Sequence, residues 1–299
     1  MNEFQYIMPG SLEEALALAA RYETKSALLA GGTDLIVQMK RGFKSPSRLI
    51  NLKKIRDLNN IDYSPEKGLF IGPLVTHNVL SEHPTILEKY SLLAEAARTI
   101  GTFQIRERGT IGGNICNASP AADTIPPLIC LSAKLKLESS TEKRAVGIED
   151  FFEGPQKTRL KPDEILTQIE IPILPPRAGG VYLKLGVRKA LEIAVVGVAT
   201  VLTLDDKMTC VGARIALASV APTPLPCHKA EAVLVGEKIG DKVIEQAAKA
   251  AREEAVPISD LRGTAEYRRE MVYVLTKRAL NEAFRRNSGI GYAKEKEYG

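Results

Sequence analysis

Gly109-Thr110-Ile111-Gly112-Gly113-Asn114, running on into Asn117-Ala118-Ser119-Pro120-Ala121-Ala122-Asp123-Thr124-Ile125-Pro126-Pro127, is the stretch around which the chain is organised. A second glycine turn, Ala30-Gly31-Gly32-Thr33-Asp34-Leu35, precedes it by about eighty residues. Each places paired glycines beside a hydroxyl and an Asp or Asn. Glycine lets a backbone turn sharply and approach a ligand closely. Amides freed by such turns, with a Thr hydroxyl nearby, form nests suited to a pyrophosphate. The two turns are therefore expected to clamp one dinucleotide from opposite sides. Either turn alone is equally consistent with a plain strand-to-helix connection. Their order, their separation and the continuation through Asp123 are far more specific.

Outward from these turns, Ser11-Leu12-Glu13-Glu14 reads as a capping box opening a helix with Ala15, Leu16, Ala19 and Ala20 on one face. Ala27-Leu28-Leu29-Ala30 reads as a strand entering the first turn. Thr33 or Asp34 can cap the next helix, with Leu35, Ile36 and Met39 inward. A strand at residues 48–52 closes a first α/β unit. The pattern then predicts a strand at residues 68–73, a cap at Thr76, a helix over 85–100, and strands at 128–137, 144–148 and 164–171. Pro172, Pro175, Pro176, Gly179 and Gly180 mark the clearest boundary. Beyond it come strands near residues 181–187, 194–203 and 212–219, a helix over 241–254 and a long helix over 264–286. Strands followed by helices make this third unit α+β.

At 299 residues the chain can bury one large core or two modest ones. Its hydrophobic share of 44% and charged share of 26% are those of a globular protein. The net charge of +5 is mild, and no base-stacking aromatic ladder accompanies it, which argues against nucleic-acid binding. Arg285-Arg286 and Lys294-Glu295-Lys296-Glu297 read as a solvated end. Cys116, Cys130, Cys210 and Cys227 form no CxxC pair, so buried free thiols are expected rather than an iron–sulfur cluster or zinc ribbon. The N-terminus reads as lacking a signal peptide, and no apolar run approaches a membrane span, so a cytoplasmic protein is expected. GxGxxG, GxxxxGK[ST], HExxH and GxSxG are all missing. His77, His83 and His228 read as surface or cap residues, and no metal site and no catalytic acid–base pair is assigned.

The residues carry a resemblance. With Gln104-Ile105-Arg106 ahead of the second turn and Asp163-Glu164-Ile165-Leu166 before the boundary, the chain resembles the FAD-binding medium subunits of the molybdenum hydroxylases. That family includes the flavoprotein of aerobic carbon monoxide dehydrogenase and the flavin domain of xanthine dehydrogenase. Lys184 with Arg188, Ala194-Val195-Val196-Gly197-Val198-Ala199, Asp260-Leu261-Arg262, Tyr267-Arg268 and Arg278-Ala279-Leu280 extend the likeness over roughly residues 1–286.

The resemblance implies an α+β chain. Residues 1–175 would be a vanillyl-alcohol-oxidase-type (PCMH-type) FAD-binding domain of two α/β subdomains, about 1–55 and 56–175. Residues 177–286 would be a C-terminal α+β domain of the carbon monoxide dehydrogenase flavoprotein type, and 287–299 a tail. It implies that Leu28, Leu29, Ala30, Gly31, Gly32, Thr33, Asp34 and Leu35 lie along the FAD pyrophosphate. Thr110, Ile111, Gly112, Gly113 and Asn114 would form the second loop, its amides and the Thr110 hydroxyl donating to phosphate oxygens. Asp123 would accept hydrogen bonds from sugar or ribityl hydroxyls. Ile100, Leu166 and Lys184 would line the cofactor; an aliphatic Ile100 rules out stacking there, and Lys184 could stabilise reduced flavin unless it is simply an exposed strand lysine. Glu192 stands where many relatives have Asp. The cysteine spacing leaves no room for the extra iron–sulfur cluster of the 4-hydroxybenzoyl-CoA reductases.

The implied function is electron transfer. A large molybdenum-cofactor subunit would hydroxylate substrate, and [2Fe–2S] clusters of a small subunit would pass electrons through FAD to an external acceptor, in a dimer of heterotrimers. The alternative is a stand-alone FAD-dependent oxidase or reductase of the same fold; a third is a scaffold that has lost FAD.

Overall fold

The capping box at Ser11 forms: Ser11 Oγ accepts from the Glu14 amide at 3.1 Å, while Glu14 reaches one residue further back, to the Gly10 amide at 2.7 Å. The helix it starts, Leu12–Tyr22, lays Ala15, Leu16 and Ala19 on a three-stranded parallel sheet in the order Gln5–Ile7, Arg48–Asn51, Ser26–Leu29. The computed structural model describes residues 2–188 and 191–288; the charged run Lys294-Glu295-Lys296-Glu297 lies outside the described residues.

The second sheet is antiparallel and has five strands in the order Ile61–Ser64, Gly68–Ile71, Ile165–Ile171, Lys134–Glu138, Lys143–Gly147. Its helices come from the long stretch between the second and third of the strands in the chain. Thr76 caps His77–Glu82 as expected. The helix read over 85–100 is two, Pro84–Lys89 and Ser91–Arg98, broken at Tyr90, whose ring is buried and whose hydroxyl donates to Pro172 O at 3.2 Å. The strand read over 128–137 is also wrong in its first half. Pro126 and Pro127 start a short helix, Ile125–Cys130, where their missing donors cost nothing, and the strand begins only at Lys134. The apolar run from Ile125 to Leu131 is buried all round, so it offered no alternation to read.

The third sheet, also antiparallel, runs Ala178–Leu185, Val196–Leu204, Cys210–Ala218, Leu225–Pro226. Gly179 and Gly180, read as part of a linker, lie inside its first strand. A Cβ on Gly179 would stand 2.9 Å from Ala283 O, so glycine there lets the long helix Ala265–Asn287 lie against the strand. That helix and Asp241–Glu254 cover one face with Val272, Leu275, Ala279, Ile244, Ala247 and Ala251. The other face packs on the second unit: Ala199, Val201 and Ala216 share a core with Leu92, Leu128 and Ile129.

Candidate functional site

A cleft of about 940 Å3 opens where the three units meet. Leu28, Ala30, Gly31, Gly32, Thr33, Asp34 and Leu35 line it from the first unit, and Thr110, Gly112, Gly113 and Asn114 from the second. Ile100, Asp123 and Leu166 join them. Three expected residues do not line it. Leu29 and Ile111 point into the core, and Lys184 acts through Asp123.

The two glycine segments do not clamp from opposite sides. A Cβ on Gly31 would lie 2.1 Å from Arg108 O and 3.0 Å from Gly109 Cα, so the segments touch backbone to backbone. Glycine is needed at 31 for this contact with protein. Gly32 adopts a left-handed φ of +83° and turns the chain into the helix Leu35–Lys40. Neither Thr33 nor Asp34 caps that helix by a side-chain bond; the Thr33 hydroxyl faces Asp34 instead. The consequence is a row of open donors. Among the described residues, the amides of Gly31, Gly32, Thr33, Asp34 and Leu35 have no acceptor.

The second segment is different in kind. Thr110 is the N-cap of a helix, Ile111–Asn117, and its hydroxyl accepts from the Gly113 amide at 3.1 Å. The Ile111 amide donates to Val75 O at 3.0 Å, Gly112 to Pro73 O at 2.9 Å, and Asn114 to Thr110 O at 2.9 Å. These amides are not free to hold phosphate, contrary to the expectation from the sequence. Gly112 is glycine because a Cβ would stand 2.4 Å from Pro73 Cβ. What the segment presents is the Thr110 hydroxyl hydrogen and the Asn114 amide, whose Oδ1 is held by Thr124 at 2.7 Å.

Asp123 sits at the end of this wall, gripped by the third sheet. Tyr182 donates to its Oδ1 at 2.6 Å and Lys184 Nζ to its Oδ2 at 2.8 Å, Lys184 also reaching Thr99 O at 3.1 Å. Both charged side chains are buried, so Lys184 is not an exposed strand lysine. Burial pushes the Asp123 carboxyl up and Lys184 and Tyr182 oppose it; the 2.8 Å contact places a carboxylate against an ammonium. Both oxygens already hold a protein partner, leaving each one lone-pair direction for a ligand hydroxyl.

Glu164, Glu192 and His77 are among the lining residues that the sequence reading did not assign to the site. Glu164 is buried beside the cleft and bound bidentately by Arg144 at 2.6 and 2.8 Å. Glu192 lines the mouth and pairs with Arg188 at 2.9 Å. His77 is the first residue of its helix but not a surface group: it is 2% exposed and lines the cleft. His83 is half-buried and His228 exposed, as read. Among the described residues no cluster of His, Cys, Asp or Glu could hold a metal, and the four cysteines are free thiols, three buried and Cys116 half-buried. No helix of the described residues is long and apolar enough to cross a membrane.

The donor set fits a dinucleotide cofactor: a cleft at the upper end of the 300–1,000 Å3 usual for cofactor sites, a glycine loop of open amides for phosphate, and a carboxylate for hydroxyls. A family model described as the FAD binding domain in molybdopterin dehydrogenase matches residues 2–174. Another, described as the CO dehydrogenase flavoprotein C-terminal domain, matches residues 181–283. The carbon monoxide dehydrogenase medium chain of Hydrogenophaga pseudoflava is 36% identical, over 95% of this chain and 98% of that protein. The nicotinate dehydrogenase FAD-subunit of Eubacterium barkeri is 31% identical, over 93% and 95% respectively. The solved structure of the H. pseudoflava carbon monoxide dehydrogenase superposes with a TM-score of 0.91, covering 95% of this chain and 98% of that one at 36% identity.

Proposed function

The chain belongs to the FAD-binding subunits of the molybdenum hydroxylases, and from that premise we propose that it holds FAD in this cleft as the electron-transfer subunit of such a complex. The observation that carries the site is the run of open amides at residues 31–35. They would take the pyrophosphate, with the Thr110 hydroxyl as a further donor. Asp123, fixed by Tyr182 and Lys184, would accept from the sugar or ribityl hydroxyls, and Ile100 and Leu166 would pack against the ring. Bound there, FAD would supply the redox chemistry that links iron–sulfur clusters of a partner to an external acceptor. The chain's own part is to bind, orient and enclose it.

The division of labour follows the same reading. Residues 1–175 bind FAD, with subdomains of about 1–55 and 56–175, and 177–286 form the C-terminal domain; the family matches at 2–174 and 181–283 support it. The proposed partners are a large molybdenum-cofactor subunit and a small [2Fe–2S] subunit, assembled as a dimer of heterotrimers in the cytoplasm. The test is a pull-down of the natively expressed chain with a visible spectrum and metal analysis. Co-purification of a molybdenum protein and a [2Fe–2S] protein in equal amounts with flavin absorbance is expected. A yellow chain that comes down alone and is reduced directly by a small molecule would hand the case to a stand-alone flavoenzyme.

A further inference from the structure

Among the described residues, His77 is a buried polar group beside the cleft that the reading above leaves without a task. Its backbone amide donates to Gly109 O at 3.0 Å, which fixes the residue against the segment that Gly31 touches from the other direction. A Cβ on Gly109 would lie 3.2 Å from His77 Cδ2 and 3.6 Å from Nε2, so that edge of the ring packs on Gly109. Nδ1 is buried with no partner, and Nε2 has none among the described residues. The neighbouring charges are already engaged. Arg106 donates to Asn78 Oδ1 and Ile100 O, and Glu107 accepts from Asn78. Burial, and then the Arg106 guanidinium, push the imidazole pKa down to about 4, so the ring is neutral at pH 7.

A neutral imidazole carries one N–H and one bare nitrogen. A buried N–H without an acceptor is the costlier of the two orphans. The proton therefore belongs on Nε2, at the edge that shares Gly109 with the glycine loop. Gly113, whose Cβ would lie 3.0 Å from Thr110 Oγ1 and 3.9 Å from Ala30 Cβ, brings the Thr110 hydroxyl to the same corner. We propose that His77 is a cofactor-binding residue whose Nε2–H donates to a phosphate oxygen, completing the anion subsite begun by the open amides of residues 31–35. The proposal rests on the reading that FAD occupies the cleft. It assigns to this chain a neutral donor where the expected donors, the amides of residues 111–114, are committed elsewhere.

The test uses the full chain stripped of flavin, titrated with FAD by fluorescence and with ADP, which carries the pyrophosphate without the flavin, by calorimetry. Loss of one hydrogen bond to a charged group predicts a Kd about 10- to 150-fold weaker for His77→Leu with both ligands. His77→Gln, whose amide nitrogen reaches the place of Nε2, should recover most of that loss. Nitrogen-detected NMR of the wild-type chain should show the Nε2–H tautomer, with its proton shifted on ADP binding. Unchanged Kd values in His77→Leu, or an Nδ1–H ring that ADP does not perturb, would overturn the proposal while leaving FAD binding intact. A loss confined to FAD would place His77 away from the phosphates and overturn it too. Failure of the wild-type chain to bind FAD at all would sink the parent reading, a result distinct from these.

Discussion

Gly31→Ala isolates the contact on which the cleft is built. The new Cβ would stand 2.1 Å from Arg108 O and 2.9 Å from Arg108 C. A carbon–oxygen contact relaxes only near about 3.3 Å, so some 1.2 Å must be found. No rotamer can supply it, because both partners are backbone. The 108–109 segment is held by Arg108 and Gly109 amides to Ile105 O at 3.1 and 2.7 Å, and by Gly109 O to the His77 amide at 3.0 Å. Past the paired strand that ends at Leu29, the glycine loop is held among the described residues by Ile36 to Gly32 O at 3.2 Å and Gln38 to Asp34 O at 2.9 Å, both at its far end. The loop therefore yields, and its open amides move with it. Overpacking of this kind costs about 1–3 kcal/mol, or about 5- to 150-fold in FAD affinity if it falls on the bound state. The assay is flavin per chain after purification, then the Kd of the stripped chain for FAD. Gly42→Ala is the control: φ is +78° with no atom within 4 Å of the added Cβ, so it costs about 1–2 kcal/mol of stability and leaves FAD in place. Wild-type FAD affinity in Gly31→Ala would refute the claim that this contact sets the loop.

Other consequences concern charge and thiols. Arg144→Met strands the buried Glu164 carboxylate, with an expected loss of about 3–5 kcal/mol and a Tm lower by about 6–20 °C at pH 7, read by calorimetry. Burial raises the Glu164 pKa, but the Arg144 pair and the Lys161 amide outweigh it and hold the carboxyl below its ordinary value. Its stabilisation is thus full above the unfolded value of about 4.3 and is lost as pH falls through the lower folded value. Urea midpoints of wild type and Arg144→Met should therefore converge only once the pH has fallen below that lowered folded value, and a gap that persists there contradicts the assignment. Lys184→Met and Tyr182→Phe share Asp123, so their double-mutant cycle should show a coupling of at least about 0.5 kcal/mol in thermal stability; additivity would mean the two do not act through that carboxylate. Burial pushes the Cys116 thiol up to about 12 and raises those of Cys130, Cys210 and Cys227 as well, so a thiol reagent at pH 8 should label the native chain far more slowly than the urea-unfolded chain. Rapid native labelling of Cys130, Cys210 or Cys227 would show an opening the fold does not contain.

Local signals were legible wherever one element decides its own conformation. Ser11 and Thr76 cap helices where their spacing said they would, and Asp241–Glu254 has the bounds its apolar period implies. Where a residue's partner is remote, the sequence was silent or misleading. Lys184 meets Asp123 across 61 positions, so nothing near it distinguishes a buried ion pair from a solvated strand lysine. His77 carries a helix-start signature like any surface histidine, while Gly109, which packs on its ring, lies thirty-two positions on. Gly179 and Gly180 look like linker residues because their reason for being glycine, the helix carrying Ala283 and the strand carrying Thr200, lies far along the chain.

The two glycine motifs make the same point more sharply, since they are nearly synonymous as text and opposite in chemistry. In one, built around left-handed Gly32, five successive amides meet no acceptor among the described residues. In the other, Thr110 and the carbonyls of Pro73 and Val75 satisfy the amides, and Gly112 is glycine so that the helix can lie against residue 73. A Gly-Gly pair next to Thr therefore specifies close backbone approach, not what is approached. The distinction decides where affinity resides. On the proposed reading, phosphate recognition falls to the first loop, and the second segment serves as the rigid wall that holds Thr110, Asn114 and Asp123 in line. That wall in turn depends on the third sheet. Tyr182 and Lys184 fix Asp123, the Ser219 amide donates to Pro120 O at 2.8 Å, and Glu95 ties the Tyr182 amide at 3.1 Å to Arg286 at 2.6 Å. A domain that contributes few cleft-lining residues thus sets the position of the carboxylate at the end of the wall, and the fold makes cofactor binding a property of all three units at once.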